Sequence, residues 1–272
     1  MCSPYMSLRS ALGLVLVVGS CLWGLTIYAA PTESAVPISF ALQKPSVTLH
    51  EPVSVELTIE NSLAEPVTFE LGFQEKANYH FTVTAPDGSL VSPQDISEGG
   101  FGATGHVSLE AGGKFERKVL VNEWYEFSKA GTYGIRIRIT GLTLRTASGT
   151  LLGNEVSSQQ MVLEVEPADP ARLVEVCQNL LESARTSRGY AKQAEAGLAL
   201  SFILDPVAVP YLVKLAKMRG LDDLSVAGLA RIANRAGIDE VISKFGTEDP
   251  ELEQSVRNAL DCLKRGCGPP IG

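Results

Sequence analysis

The chain has 272 residues, 45% apolar and 20% charged, with 23 Lys and Arg against 31 Asp and Glu for a net charge of −8. That length supports one large domain or two smaller ones, each able to bury a core. The negative charge is spread along the chain, and the densest basic stretches, FERK at 115–118 and CLKRG at 262–266, are too short to track a phosphate backbone, which argues against nucleic acid as a partner.

The first thirty residues differ in composition from the rest. Arg9 precedes ALGLVLVVGSCLWGLTIYAA, residues 11–30, which carries no charge. A basic residue ahead of such a run reads as an export signal or an N-terminal membrane anchor over 1–30. Three outcomes stay open. The signal can be cleaved near Ala29 or Ala30, just ahead of Pro31. VGSC at 18–21 resembles a bacterial lipobox and makes Cys21 a candidate for lipidation. The run is also long enough to span a bilayer uncleaved. In each case residues from Pro31 onward are expected on the non-cytoplasmic side, because Arg9 favours staying inside. The expected location is therefore exported, periplasmic or extracellular, with membrane attachment through the N-terminus only.

From about 37 to 166 the apolar residues recur with a period of two, the signature of half-buried strands. In PVSVELTIEN (52–61), Val53, Val55, Leu57 and Ile59 share one face. The pattern returns in PVTFELGF (Val67, Phe69, Leu71), YHFTVTA (Phe81, Val83), GIRIRIT (Ile135, Ile137, Ile139) and QMVLEVE (Met161, Leu163, Val165). Turn sequences APDG (85–88), EAGG (110–113) and SKAG (128–131) separate these runs. Short strands of this kind are what two packed antiparallel sheets require, so residues 31–168 are expected to form a β-sandwich.

Within that region GFGATG (100–105) matches the dinucleotide fingerprint in its letters. It lacks the preceding buried strand and the following helix that the chemistry needs, so a connecting loop is expected. The loop 92–105, with Phe101 in it, is a candidate contact segment, as loops on sandwiches often are. NEWYEF (122–127) allows two readings. Trp124, Tyr125 and Phe127 can form an exposed contact patch, or Trp124 and Phe127 can close the end of the core. The candidate contact residues are therefore Trp124, Tyr125 and Phe101.

After EPADPARL (166–173), a Pro-punctuated linker, the period changes to 3.6. ARLVEVCQNLLESAR (171–185) sets Leu173, Val176, Cys177, Leu180 and Leu181 on one helical face. DPVAVPYLVKLAKMRG (205–220) opens on an Asp cap before Pro206 and closes at Gly220. AGLALSFILD (196–205) is echoed by AGLARIANRA (227–236): Gly197, Gly228 and Ala259 are spaced 31 apart, as are Leu198, Leu229 and Leu260. Small residues at one position let helices approach and Leu at the next fills the groove, so 169–272 is expected to be a stack of helical hairpins, with a non-repetitive bundle as the alternative.

Chemistry-bearing residues are sparse. His50, His80 and His106 all lie before residue 107, and no G-x-S-x-G, H-E-x-x-H or Walker loop occurs. Asp222–Asp223 and Glu248–Asp249 sit at expected helix starts, where carboxylates favour the dipole. Catalytic, cofactor and metal residues are accordingly assigned to none, and no cofactor is expected. Of the five cysteines, Cys262 and Cys267 are close enough in sequence for a local disulfide in an oxidising compartment. The alternative has Cys177 and Cys262 as apolar helix residues and Cys267 as a tail thiol.

Two resemblances bear on fold. SKAGTYGIRI (128–137) looks like the corner of an immunoglobulin-type fold, in which a Tyr hydrogen-bonds back across the turn before its strand. Tyr133 holds that place and Ile135 the position that carries Cys in antibody domains. The stretch 52–139 is similar to immunoglobulin-like modules of bacterial exported proteins and loosely resembles proteinase-inhibitor-type sandwiches. DPVAVPYLVKLA followed by LSVAGLARIA resembles HEAT-type repeats over about 170–265. Neither resemblance carries site residues.

Together these imply a two-domain chain, all-β (31–168) then all-α (169–272), serving as a non-enzymatic cell-envelope protein that binds another envelope or extracellular protein. The alternatives are an inhibitor or regulator of an exported hydrolase acting through sandwich loops, and an enzyme with an unrecognised site.

Overall fold

The structure is a computed structural model that describes residues 36–70, 78–94, 106–140, 142–149, 155–158 and 160–244. The expected signal region with Cys21, the 100–105 loop with Phe101, the third repeat position at Ala259 and Leu260, and Cys262 and Cys267 lie outside the described residues.

The β region comes first and the helices follow. Eleven strands are described: β1 (Ile38–Leu42), β2 (Ser46–Thr48), β3 (Ser54–Glu60), β4 (Val67–Glu70), β5 (Tyr79–Thr84), β6 (Val107–Leu109), β7 (Lys114–Leu120), β8 (Gly131–Thr140), β9 (Thr143–Thr146), β10 (Glu155–Ser157) and β11 (Met161–Glu166). The alternation seen in the sequence is realised at the described positions, with Met161 half-buried against the same cluster and Leu71 outside the described residues. Val53, Val55, Leu57, Ile59, Val67, Phe69, Phe81, Val83, Ile135, Ile137, Ile139, Leu163 and Val165 are all buried and belong to one apolar cluster.

Strand pairing departs from two antiparallel sheets. The described strands form three hydrogen-bonded sheets around the core: β1-β3-β7; β10-β8-β11-β2, with β5 also paired to β8; and β6-β4-β9. One pair, β2 with β11, is parallel. Alternation fixes which residues face inward, but it is blind to the direction and identity of the neighbouring strand. The long β8 carries β5 along one edge and both β10 and β11 along the other, which makes Ile135, Ile137 and Ile139 the centre of the core. Tyr133 lies at the start of β8, and its hydroxyl donates to the Lys129 carbonyl at 2.9 Å, the back-bond expected from the sequence.

Five α-helices follow among the described residues: α1 (Pro170–Thr186), α2 (Tyr190–Ser201), α3 (Val209–Ala216), α4 (Asp222–Ala236) and α5 (Ile238–Lys244). Asp169 caps α1, its carboxylate accepting from the Ala171 and Arg172 amides at 3.0 and 3.1 Å, while Pro170 takes the first-turn position where a missing N–H costs nothing. Asp205 caps a 3₁₀ turn, Pro206–Ala208, that leads into α3. This helix stops at Ala216 rather than at Gly220, which instead takes φ +77° in the next turn. Consecutive helices pack in pairs, α1 with α2 and α3 with α4, and α2 also lies against α4. Their shared core contains Leu173, Cys177, Leu200, Leu212, Leu229 and Ile232.

The two positions of the 31-residue echo are not equivalent. Gly228 brings α4 so close to α2 that a Cβ there would fall 2.9 Å from the Ser201 Cα, whereas one on Gly197 would meet only the tips of Leu224 and Leu215 at 3.3 and 3.4 Å. Leu229 is buried in the helical core, while Leu198 packs with Leu120, Ala199 and Phe202, where helix meets sheet. The β region and the helices form one compact unit.

Candidate functional site

A buried carboxylate holds the first helix to the strands. The Glu51 side chain is 1% exposed and receives Lys44 Nζ at 2.6 Å and Arg172 Nε at 3.1 Å. Its other contact is the Thr48 amide, which donates to it at 3.0 Å. Arg172 continues to Glu166 at 2.8 Å and donates to the Ser46 carbonyl at 3.1 Å. The Thr48 hydroxyl donates to the Pro167 carbonyl and accepts from the Asp169 amide, both at 2.8 Å. One arginine thus joins β2, β11 and the turn before β3 to the first turn of α1.

Further along, α2 stands over β3 and β7. Lys118 of β7 reaches Glu195 of α2 at 3.5 Å, and Leu120 packs on Ala199 and Phe202. Between these contacts runs a cleft of about 800 Å³. Its sheet wall includes Phe115 through Leu120, consecutive residues of β7, with Ser54 and Glu56 of β3 beside them. Residues from both faces of one strand can line a cleft only if the cleft follows that strand's edge. The helix wall is a stripe of Ala191, Ala194 and Leu198 on α2, with Asp223 and Leu224 of α4 beyond. Tyr190 closes one end, its hydroxyl donating to the Gly220 carbonyl at 2.9 Å.

Among the described residues, β7 pairs along one edge only, with β3. Register pairs Ser54 with Leu120 and Glu60 with Lys114. Beyond the two ends of the ladder, the Val121 amide donates to the Val53 carbonyl at 2.8 Å and the Asn61 amide to Gly113 at 2.9 Å. Antiparallel alternation then directs the N–H and C=O of Phe115, Arg117 and Val119 to β3, and those of Lys114, Glu116, Lys118 and Leu120 away from it. Among the described residues no strand pairs with that second edge.

The contact patch expected at NEWYEF is not presented to solvent. Trp124, Tyr125 and Phe127 are 4%, 5% and 5% exposed. The Trp124 ring meets Phe81 at 4.9 Å and Tyr79 edge-on at 6.2 Å, while Phe127 meets Tyr133 edge-on at 5.1 Å. The Tyr125 hydroxyl donates to the Phe81 carbonyl at 2.8 Å. A 3₁₀ turn at Val121–Glu123 folds the aromatic run back under the sheets, a reversal that strand periodicity does not reveal. Trp124 nonetheless contributes to the floor of the cleft, and its Nε1 has no hydrogen-bond acceptor among the described residues.

Two smaller depressions flank the main one. One of about 470 Å³ lies between Lys44, Glu51 and the helices α1 and α2. The other, about 400 Å³, is bordered by Tyr125, Glu126, Phe202, Arg231 and Arg235. Arg231 stacks 3.9 Å over the Phe202 ring and donates to the Ser201 carbonyl at 3.1 Å, and Arg235 pairs with Glu126 across the sheet–helix boundary.

The three histidines are scattered. His80 is exposed and touches Thr140 at 2.8 Å, while His106 pairs with Glu70 at 2.7 Å. His50 sits in the left-handed region at φ +75°, and its Nδ1 is buried without a partner among the described residues. Burial, followed by the nearby Arg235 charge, holds the His50 pKa below its ordinary 6.5, against the opposing pull of Asp205 and Glu126. Cys177 is buried in the helical core, and burial pushes its thiol up to about 12. Among the described residues no three His, Cys, Asp or Glu side chains cluster as metal ligands, and no helix is long and apolar enough to cross a membrane.

No family model matches the chain, and no curated protein matches it. Similar solved structures include a PapD-like domain of human CEP192 (11% identity, 61% of this chain and 100% of that one, TM-score 0.27). Another is the complex of zinc 2-glycoprotein with prolactin inducible protein from human seminal plasma (14% identity, 47% and 93%, TM-score 0.26). A third is the Yersinia enterocolitica fimbrial subunit MyfA in complex with galactose (14% identity, 47% and 98%, TM-score 0.22). Similarity at this level assigns no function.

Proposed function

We propose that the protein is a non-enzymatic interaction module of the cell envelope, in which an immunoglobulin-like β-sandwich and a short HEAT-like helical stack hold a partner protein between them. The cleft along β7 carries this reading: it is about 800 Å³, walled by a strand edge on one side and a stripe of small helix residues on the other. Such a trough offers backbone hydrogen bonds and apolar surface together, the combination that protein segments use when they dock. The sandwich part of the reading is supported by the Tyr133 back-bond to Lys129 and by inward faces of different sheets sharing one core. The stack is supported by the pairing of α1 with α2 and α3 with α4, and by the close approach at Gly228. Export rests on the uncharged run 11–30 behind Arg9.

The experiment is affinity capture from an envelope extract with the full chain and with its Ala191→Trp variant, quantified by mass spectrometry. Ala191 is an exposed residue on the helix wall, so an indole there fills the cleft without entering the core. The reading predicts proteins retained by the parent and depleted at least ~10-fold by the variant, a change of about 1.4 kcal/mol. Equal retention by both would remove the cleft from the account.

A further inference from the structure

The interaction reading names a cleft but not how a partner enters it. We propose, resting on that reading, that the cleft takes an extended, basic segment of a partner protein, which adds as a new strand beneath α2 to the edge of β7 that no described strand occupies.

The hydrogen-bonding pattern comes first. The ladder to β3 uses Phe115, Arg117 and Val119, which leaves the N–H and C=O of Glu116 and Lys118 pointing along the open edge within the cleft. Seven residues of strand present about 23 Å of edge at roughly 3.3 Å each, enough for a segment of similar length. An exposed edge of this kind templates another strand, and proteins blunt it with charged side chains, a covering element, proline or bulges; β7 carries Lys114, Glu116 and Lys118 and has α2 nearby, but lacks the last two. β7 (KFERKVL) contains no proline, and its ladder to β3 runs unbroken from Lys114 to Leu120 without a bulge.

The opposite wall decides what can lie there. A strand added to β7 turns alternate side chains toward α2. The residues that α2 offers are Tyr190, Ala191, Ala194, Glu195, Leu198 and Ala199, three of them alanines, and beside the Lys118–Glu195 contact the cleft of about 800 Å³ leaves room for an incoming chain. Strand on one side and helix on the other is the geometry by which extended peptides are gripped through main-chain bonds, with pockets reading alternate side chains.

Charge selects the partner's chemistry. The cleft is lined by five carboxylates, Glu56, Glu116, Glu123, Glu195 and Asp223, against Arg117, Lys118, which reaches Glu195 at 3.5 Å, and the neighbouring Lys114, which holds Glu116 at 2.6 Å. The excess of negative charge favours a segment carrying lysine or arginine and disfavours an acidic one.

The test uses the full chain, ¹⁵N-labelled, and three kinds of eight-residue peptide probe with blocked termini. These are alternating Val-Lys, alternating Val-Glu, and Val-Lys carrying backbone N-methyl groups either on the valines or on the lysines. Strand addition predicts that Val-Lys binds, that Val-Glu binds at least ~10-fold more weakly, and that one of the two N-methylated peptides loses binding while the other keeps it. It also predicts slowed amide exchange at Glu116 and Lys118. Glu116→Pro removes an edge N–H that β3 does not use, so it should cut affinity about tenfold with the unfolding midpoint little changed. Ala191→Trp is the second variant, acting from the helix side, and should also lose the peptide.

Equal binding of both N-methylated peptides, absence of Val-Lys binding, or protection mapping away from residues 114–120 would overturn the proposal. A partner captured equally by the parent and by Glu116→Pro but lost from Ala191→Trp also overturns strand addition, while leaving the interaction reading in place. Equal capture by all three overturns both.

Discussion

Replacing Glu51 tests whether the strands and helices are joined as the structure has them. Glu51 is 1% exposed, while its partners Lys44 and Arg172 are 53% and 31% exposed. The cations therefore keep much of their hydration, and the full penalty for breaking a buried pair, about 3–5 kcal/mol, does not apply to either of them. Glutamine can keep its oxygen toward the Thr48 amide and Arg172, losing the charge on those bonds and turning an NH₂ group toward Lys44, which can swing into solvent. The expected cost is about 1–2 kcal/mol, the charge-assisted part of two hydrogen bonds. Alanine also removes the acceptor from the Thr48 amide, on a residue 0% exposed, and leaves a cavity, so about 3–4 kcal/mol is expected. Urea unfolding followed by far-ultraviolet circular dichroism reads this as a lower midpoint at unchanged slope. Combining Glu51→Gln with Arg172→Met should cost less than the two alone by about 1 kcal/mol, since each removes the same bond. Alanine within ~0.5 kcal/mol of the parent, the range of ordinary surface substitutions, would refute the assigned role of the carboxylate.

The two glycines of the echo should respond in opposite directions. Gly228→Ala drives a Cβ to 2.9 Å from the Ser201 backbone and should destabilise by about 1–3 kcal/mol despite better helix propensity. Gly197→Ala meets only leucine tips at 3.3 Å or more and should be neutral or stabilising by up to ~1 kcal/mol. Stability should also fall with acidification below about pH 6.5, because His50 binds its proton more readily unfolded than folded. His50→Asn tolerates the same positive φ and should flatten that part of the pH profile of unfolding; an unchanged slope would exclude His50 as its source. Cys177, with its thiol pushed up to about 12 inside the core, should resist iodoacetamide at pH 8 in the folded protein and react on unfolding. Tyr133→Phe should cost about 1 kcal/mol by removing the bond to Lys129, measured by thermal unfolding.

The sequence is most informative where a single residue's environment repeats with a regular period. Val55, Leu57 and Ile59, like Ile135, Ile137 and Ile139, announce their inward face by alternation, and Leu173 and Cys177 announce theirs by helical spacing. Tyr133 was legible for a different reason, since its bond closes over four residues and depends only on the local turn. The arrangement of sheets was not. Whether β11 pairs with β2, 118 residues away in register and in parallel, depends on the path of the whole chain. The same holds for the cleft. Lys118 and Glu195, or Leu120 and Ala199, carry no mutual signal along the sequence, and they meet only because α2 folds back over β7. Trp124 and Tyr125 show the converse. They have the composition of a binding surface, yet a 3₁₀ turn places them inside, which is the core-closing alternative that the sequence also allowed for Trp124. FERK is too short a basic stretch to track a phosphate backbone, and its residues lie within β7.

The most direct measurement is hydrogen–deuterium exchange on the full chain, with and without a partner captured from the envelope extract. The account predicts added protection in residues 114–120 of β7, strongest at Glu116 and Lys118, together with residues 190–198 of α2. Protection confined to other strands, or partner binding that leaves 114–120 exchanging as in the free protein, would contradict it.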